Sequence, residues 1–201
     1  MDHVELAMVL AVDGSASVTY DEFGLIAGGM ASALRDPAVA AGLIGKSMLS
    51  LLLWSGTGQQ DIVTNWTPIA SAADLNAFAD SVDNMPRTVR AGSTAIGEAL
   101  LAALTLLAKV PAIPKRNIVN VIGDGRSNEG TPPGPIRDRM AAAGITINGL
   151  CILHEEPGLL ASYIAEVIGG PGAFAVTCRE YKDFAEAMRQ KLTQEIAGPI
   201  V

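Results

Sequence analysis

Positive charge is scarce in this chain: 14 Lys and Arg stand against 21 Asp and Glu, a formal net charge of -7 over 201 residues. Nucleic-acid binders carry a basic footprint, so this balance excludes nucleic acid as a partner. Long apolar runs are missing too. None reaches the ~18 residues that a bilayer span needs; residues 48–55 have strand length and the helical run at 100–110 is too short, so no membrane span is expected. No basic segment opens the chain either, since Met1-Asp2-His3 leads straight into strand pattern. The protein is therefore expected to be cytoplasmic, or exported to the periplasm with its signal segment trimmed away. Two cysteines, Cys151 and Cys178, are too few for a zinc site of finger type. The two histidines, His3 and His154, have no ligand spacing. No repeat, low-complexity tract or linker divides the chain, and with 49% apolar and 17% charged residues it reads as one domain, 1–201.

What is present is an alternation of strands and helices. Residues 4–12 are apolar on both faces apart from Glu5, the pattern of a central parallel strand buried under two helical layers. Thr19-Tyr20-Asp21-Glu22 then forms a capping box, opening a helix that runs to about Arg35 and is stopped by Asp36-Pro37. Strands follow at 48–54 and 60–66, and the short Ser55-Gly56-Thr57-Gly58 link makes them an antiparallel hairpin. Helices are expected at 71–84, from Thr94 to 109, at 131–143, 157–168 and 181–196, with strands at 117–122, 145–153 and 173–178. Pro111 and Pro114 end the helix that starts at Thr94, and Gly144 caps the one before it. The sum is an open α/β sheet with right-handed crossovers and helices on both faces.

Chemistry concentrates where strands end. Asp13-Gly14-Ser15-Ala16-Ser17 follows the first strand, Thr94 opens a helix, and Asp124 follows a later strand, which places all three loops on the edge where such sheets bind ligands. Two carboxylates and three hydroxyls are the hard oxygen donors that a divalent cation takes, and Mg²⁺ needs only one or two carboxylates. An ion so held keeps much of its charge, and a carboxylate from another molecule would complete its shell. Ser93 beside Thr94 is an alternative donor. Gly14, Gly125, Arg126 and His154 fall on the expected rim.

Asp13-x-Ser15-x-Ser17, then Thr94, then Asp124 within Gly-Asp-Gly, in this order and on these elements, resembles the metal-ion-dependent adhesion site of von Willebrand factor A domains. The stretches Leu10-Ala-Val-Asp-Gly-Ser, Trp54-Ser-Gly, Gly144-Ile-Thr-Ile-Asn-Gly-Leu and Val167-Ile-Gly-Gly-Pro-Gly-Ala-Phe further resemble the bacterial DUF1194 family. The resemblance implies a three-layer, doubly wound, mostly parallel six-stranded sheet in the order 3-2-1-4-5-6, with strand 3 antiparallel at an edge. It implies Ser15 and Ser17 as direct ligands of Mg²⁺, Mn²⁺ or Ca²⁺, Thr94 as a ligand in one conformational state, and Asp13 and Asp124 acting directly or through water. The remaining position would take an Asp or Glu of a protein partner. It also implies that the terminal helix carrying Phe184, Met188 and Leu192 shifts on partner binding. In the implied order the last two strands are neighbours, which brings Cys151 and Cys178 within reach of a disulfide; lying in or at the end of apolar runs, they read equally as two buried free thiols.

A rival reading is a magnesium-dependent phosphatase of the haloacid dehalogenase type, with Asp13 as nucleophile and the 123–128 segment, around Asp124, as its late metal loop. That chemistry needs a second carboxylate two residues after the nucleophile to serve as acid and base. Ser15 stands there, so no catalytic residue is assigned. Asp13-Gly-Ser-Ala-Ser lacks both glycines of a serine-hydrolase elbow, and Gly45-Lys46-Ser47 leads into a strand where a phosphate loop leads into a helix.

Overall fold

The computed structural model describes residues 3–198, so the expected 1–201 unit runs past the described residues at both ends. Six strands form one sheet in the order β3-β2-β1-β4-β5-β6. They are β1 (His3–Asp13), β2 (Ser47–Trp54), β3 (Gln60–Ile69), β4 (Ile113–Gly123), β5 (Ile145–Ile152) and β6 (Ala175–Cys178). All pairings are parallel except the β2–β3 hairpin, so β3 is the antiparallel edge that the short link dictated. Among the described residues, seven α-helices cover the sheet: α1 (Tyr20–Leu34), α2 (Pro37–Leu43), α3 (Ala72–Asp83), α4 (Ile96–Leu107), α5 (Pro133–Ala142), α6 (Leu159–Glu166) and α7 (Phe184–Ala197).

The apolar residues of β1 explain the layering. Leu6, Met8, Leu10 and Val12 face a core built with α1, α2, α3 and α7, while Ala7, Val9 and Ala11 face a second core built with α4, α5 and α6. A strand apolar on both faces is therefore buried on both, as its period-2 geometry requires. Asp13 shares the parity of Ala11, and in register it lies opposite Trp54 at the top of the sheet.

Three expectations need correction. Asp36-Pro37 ends α1 but also begins α2: the Asp36 carboxylate accepts the Ala38 and Val39 amides as N-cap, and Pro37 takes the first helical position, where its missing N–H costs nothing. Pro114 lies inside β4, beside Val4 on β1; β5 joins that strand only from Asn117, so no ladder donor is needed on the other side. Cys151 and Cys178 are free. Thr177 is the register partner of Cys151 and Ile152 that of Cys178, so the one-residue offset sends the two thiols to opposite faces, one into each core. Burial pushes both thiols up to about 12, which leaves them neutral. Among the described residues, no helix is long and apolar enough to cross a membrane.

Candidate metal centre

Parallel strands deliver the loops to one place. β1 and β4 are neighbours, and their carboxyl ends carry Asp13 and Asp124 side by side, both fully buried. The chain turns sharply after Asp13, whose Oδ1 accepts the Ser15 amide at 2.7 Å. That turn lifts Ser15 and Ser17 over the strand ends: their hydroxyl oxygens lie 3.1 Å apart, and Ser17 Oγ donates to Asp124 Oδ1 at 2.6 Å. Ser15 is buried and Ser17 exposed, so the group opens outward at Ser17.

Thr94 precedes α4 without capping it. The N-cap position belongs to Ala95, with no side-chain hydrogen bond, so the Thr94 hydroxyl is not spent on the helix. Asn128 holds the residue, accepting the Thr94 amide on Oδ1 at 2.8 Å and donating its own amide to the Thr94 carbonyl at 2.9 Å. A Cβ on Gly125 would stand 3.8 Å from Thr94 Oγ1, which places that hydroxyl beside the Asp124 loop. Thr94 is buried while Ser93 is exposed. The five oxygen-bearing residues read from the sequence are thus brought together.

The electrostatics of the pair are unfavourable as it stands. Burial and then repulsion by Asp124 raise the Asp13 carboxyl to about 7, against hydrogen bonds from Ser15 that favour its charge. Asp13 Oδ2 is buried and has no partner among the described residues. An unpartnered buried carboxylate oxygen beside a second carboxylate is the feature a cation would relieve.

Several supporting residues were not anticipated. Arg87 donates through Nη2 to the Gly14 and Ser15 carbonyls at 2.9 and 2.6 Å, fixing the loop from the far side. Tyr181 donates its hydroxyl to Asp124 Oδ2 at 2.8 Å. Ser55 joins two loops, its hydroxyl donating to the Arg90 carbonyl at 2.7 Å and its carbonyl accepting the Ala95 amide at 2.9 Å. Only Ser55 had a signal, its place in Trp54-Ser-Gly. The expected rim residues divide. Gly14 and Gly125 flank the donors, Arg126 is exposed and paired with Glu156, and His154 is held by Glu180 at 2.8 Å with its ring edge-on to Tyr181. The Glu180 carboxylate raises the His154 pKa.

A family model described as a protein of unknown function, DUF1194, matches residues 3–200. The chain belongs to the DUF1194 family. No curated protein matches it in sequence. Among solved structures, the DUF1194 chain is similar to a von Willebrand factor type A protein from Catenulispora acidiphila, with 19% identity and a TM-score of 0.67 over 96% of this chain and 43% of that one. It is similar to proximal thread matrix protein 1 from the mussel byssus, solved with a zinc-occupied MIDAS motif, at 17% identity and a TM-score of 0.67 over 98% and 48% of the two chains. The vWF domain of the type V pili tip protein Mfa5 from Porphyromonas gingivalis matches at 10% identity and a TM-score of 0.65, over 98% and 97%. The chain thus spans less than half the length of the first two. At these identities the likeness gives the fold, and the DUF1194 chain has the von Willebrand factor A fold.

Proposed function

We propose that this chain is a non-enzymatic interaction module that holds a divalent cation at Asp13, Ser15, Ser17, Thr94 and Asp124 and offers it to an acidic group of a protein partner. The observation that carries the reading is the buried pair Asp13 and Asp124 with the unpartnered Asp13 Oδ2, next to three hydroxyls. The oxygens of Ser15, Ser17 and Asp124 lie 2.6 to 3.1 Å from one another along the chain of contacts. These three residues stand close enough to share one cation, and their hard oxygen donors suit Mg²⁺, Mn²⁺ or Ca²⁺. The bound ion supplies an electrophilic coordination position.

The residues do the rest. Ser15 and Ser17 would present neutral donors, so no third carboxylate of this chain enters the shell and one from outside can take a place in it. Arg87 and Asn128 keep the Asp13 and Thr94 loops in register. The exposed Ser17 gives the side from which a partner approaches. The adhesion and pilus proteins of the same fold, such as the pilus adhesin SpaC from Lactobacillus rhamnosus GG, are consistent with a binding role. The test is retention of this protein on a surface bearing an Asp-containing peptide. Retention is expected with Mg²⁺ or Mn²⁺ and not with chelator or on the matching Asn peptide; equal retention with chelator contradicts the proposal. Turnover of a generic phosphate ester that D13A abolishes would replace the binding role with hydrolysis.

A further inference from the structure

A tyrosine hydroxyl from outside the five-residue set binds Asp124, and a second lies near Asp13 without touching it. Tyr181 lies on the single helical turn that leads into α7, and its hydroxyl donates to Asp124 Oδ2 in a buried contact of 2.8 Å. Ser17 holds the other oxygen, so the Asp124 carboxylate is fixed at both ends. Tyr163 comes from α6 and is fully buried, yet its hydroxyl has no partner among the described residues. A Cβ added at Gly123 would stand 2.8 Å from that hydroxyl and 2.9 Å from Asp13 Oδ2, the other unpartnered atom.

Glycine at 123 therefore lets both atoms close over the backbone, with no room for a side chain, and brings an unpartnered donor and an unpartnered carboxylate oxygen near enough for one water to bridge them. Leaving both atoms unsatisfied is costly, and one water in a polar gap satisfies both at once. Groups that hydrogen-bond metal-ligating carboxylates fix their orientation and basicity, and their loss typically weakens metal binding by ~10–100-fold.

We infer that Tyr181 and Tyr163 are positioning residues of the metal centre, Tyr181 orienting Asp124 directly and Tyr163 orienting Asp13 through a bridging water. The inference rests on the metal-binding reading above. It makes α6 and the turn before α7 part of the centre, although neither carries a ligand.

The test compares Mn²⁺ affinity by calorimetry in wild type, Y163F, Y181F and the control Y20F, Tyr20 being 80% exposed. Both Y163F and Y181F are expected to bind about tenfold more weakly or worse, with Y20F unchanged. A hydroxyl that serves packing alone would lower the melting temperature of metal-free protein and leave the affinity untouched. Wild-type protein labelled with 3-fluorotyrosine gives a readout independent of the variants' folding. On saturation with Mg²⁺ the ¹⁹F signals of Tyr163 and Tyr181 should shift while that of Tyr20 stays. Affinity within twofold of wild type in either Phe variant, or unmoved Tyr163 and Tyr181 signals at saturation, overturns the inference and leaves metal binding standing. Wild type that takes up no metal overturns both.

Discussion

Burying Asp13 beside Asp124 holds its carboxyl near pH 7, and two pH dependences follow. The folded value lies above the unfolded one, 3.8, so the folded state keeps a proton that the unfolded chain has lost. The contribution to metal-free stability is fully present below pH ~4 and is lost as pH rises toward 7. Metal-free protein should therefore lose stability across that window in denaturant titrations, and D13N should flatten the loss. Metal requires the ionised carboxylate, so apparent Mg²⁺ or Mn²⁺ affinity should fall about tenfold per pH unit below 7 and level off above ~8. A flat calorimetric profile from pH 5 to 8 contradicts this role for Asp13. The oxygen-bearing residues were legible because Asp-x-Ser-x-Ser and Gly-Asp-Gly each follow a strand and Thr94 stands just before a helix. Arg87, Tyr163 and Tyr181 were not, because each acts through a contact across the fold and its sequence neighbours resemble any helix or loop.

Helix α7 is fastened to β4 and β5 by a buried polar cluster. Lys191 and Glu195, one turn apart and both buried, pair with each other; Lys191 also donates to Asn120 on β4, and Glu195 accepts from Asn120 at 3.1 Å and Asn148 on β5 at 2.7 Å. Burial lowers the Lys191 pKa, Glu195 opposing it. K191M leaves Glu195 buried without its cation and should cost ~3–5 kcal/mol in denaturant unfolding, whereas K191M/E195L should cost clearly less. A second close approach lies between α4 and the loop before α5, where a Cβ on Gly97 would come within 1.9 Å of the Thr131 carbonyl oxygen. G97A should cost ~1–3 kcal/mol by the same measurement, since the neighbour is backbone and must move. Element identity was largely legible at this scale, from apolar period and caps. The exceptions were elements where one residue type serves two ends: Asp36-Pro37 both stops a helix and starts one, and Pro114 reads as a breaker until the free side of β4 is known.

For the whole molecule, strand alternation gave an α/β sheet, but the order 3-2-1-4-5-6 came from resemblance and not from any pairing visible in the chain. The same limit explains the cysteines: neighbouring strands bring Cys151 and Cys178 close, and only the register shows that they face opposite cores. Because the chain spans less than half the length of the Catenulispora acidiphila and mussel byssus chains, the partner is sought with this unit and with any protein that contains it. If the terminal helix responds to the site, amide exchange over 184–197 should change when Mg²⁺ and an acidic peptide are added together, and identical exchange contradicts a shift of α7. The central claim is tested most directly by calorimetric titration of Mg²⁺, Mn²⁺ and Ca²⁺ into chelator-treated protein beside D13A. Saturable uptake of about one ion per chain at or below millimolar concentration is expected for wild type, and at least ~10–100-fold weaker uptake for D13A. Absence of uptake by wild type at millimolar concentrations of all three ions, or equal uptake by D13A, contradicts the account.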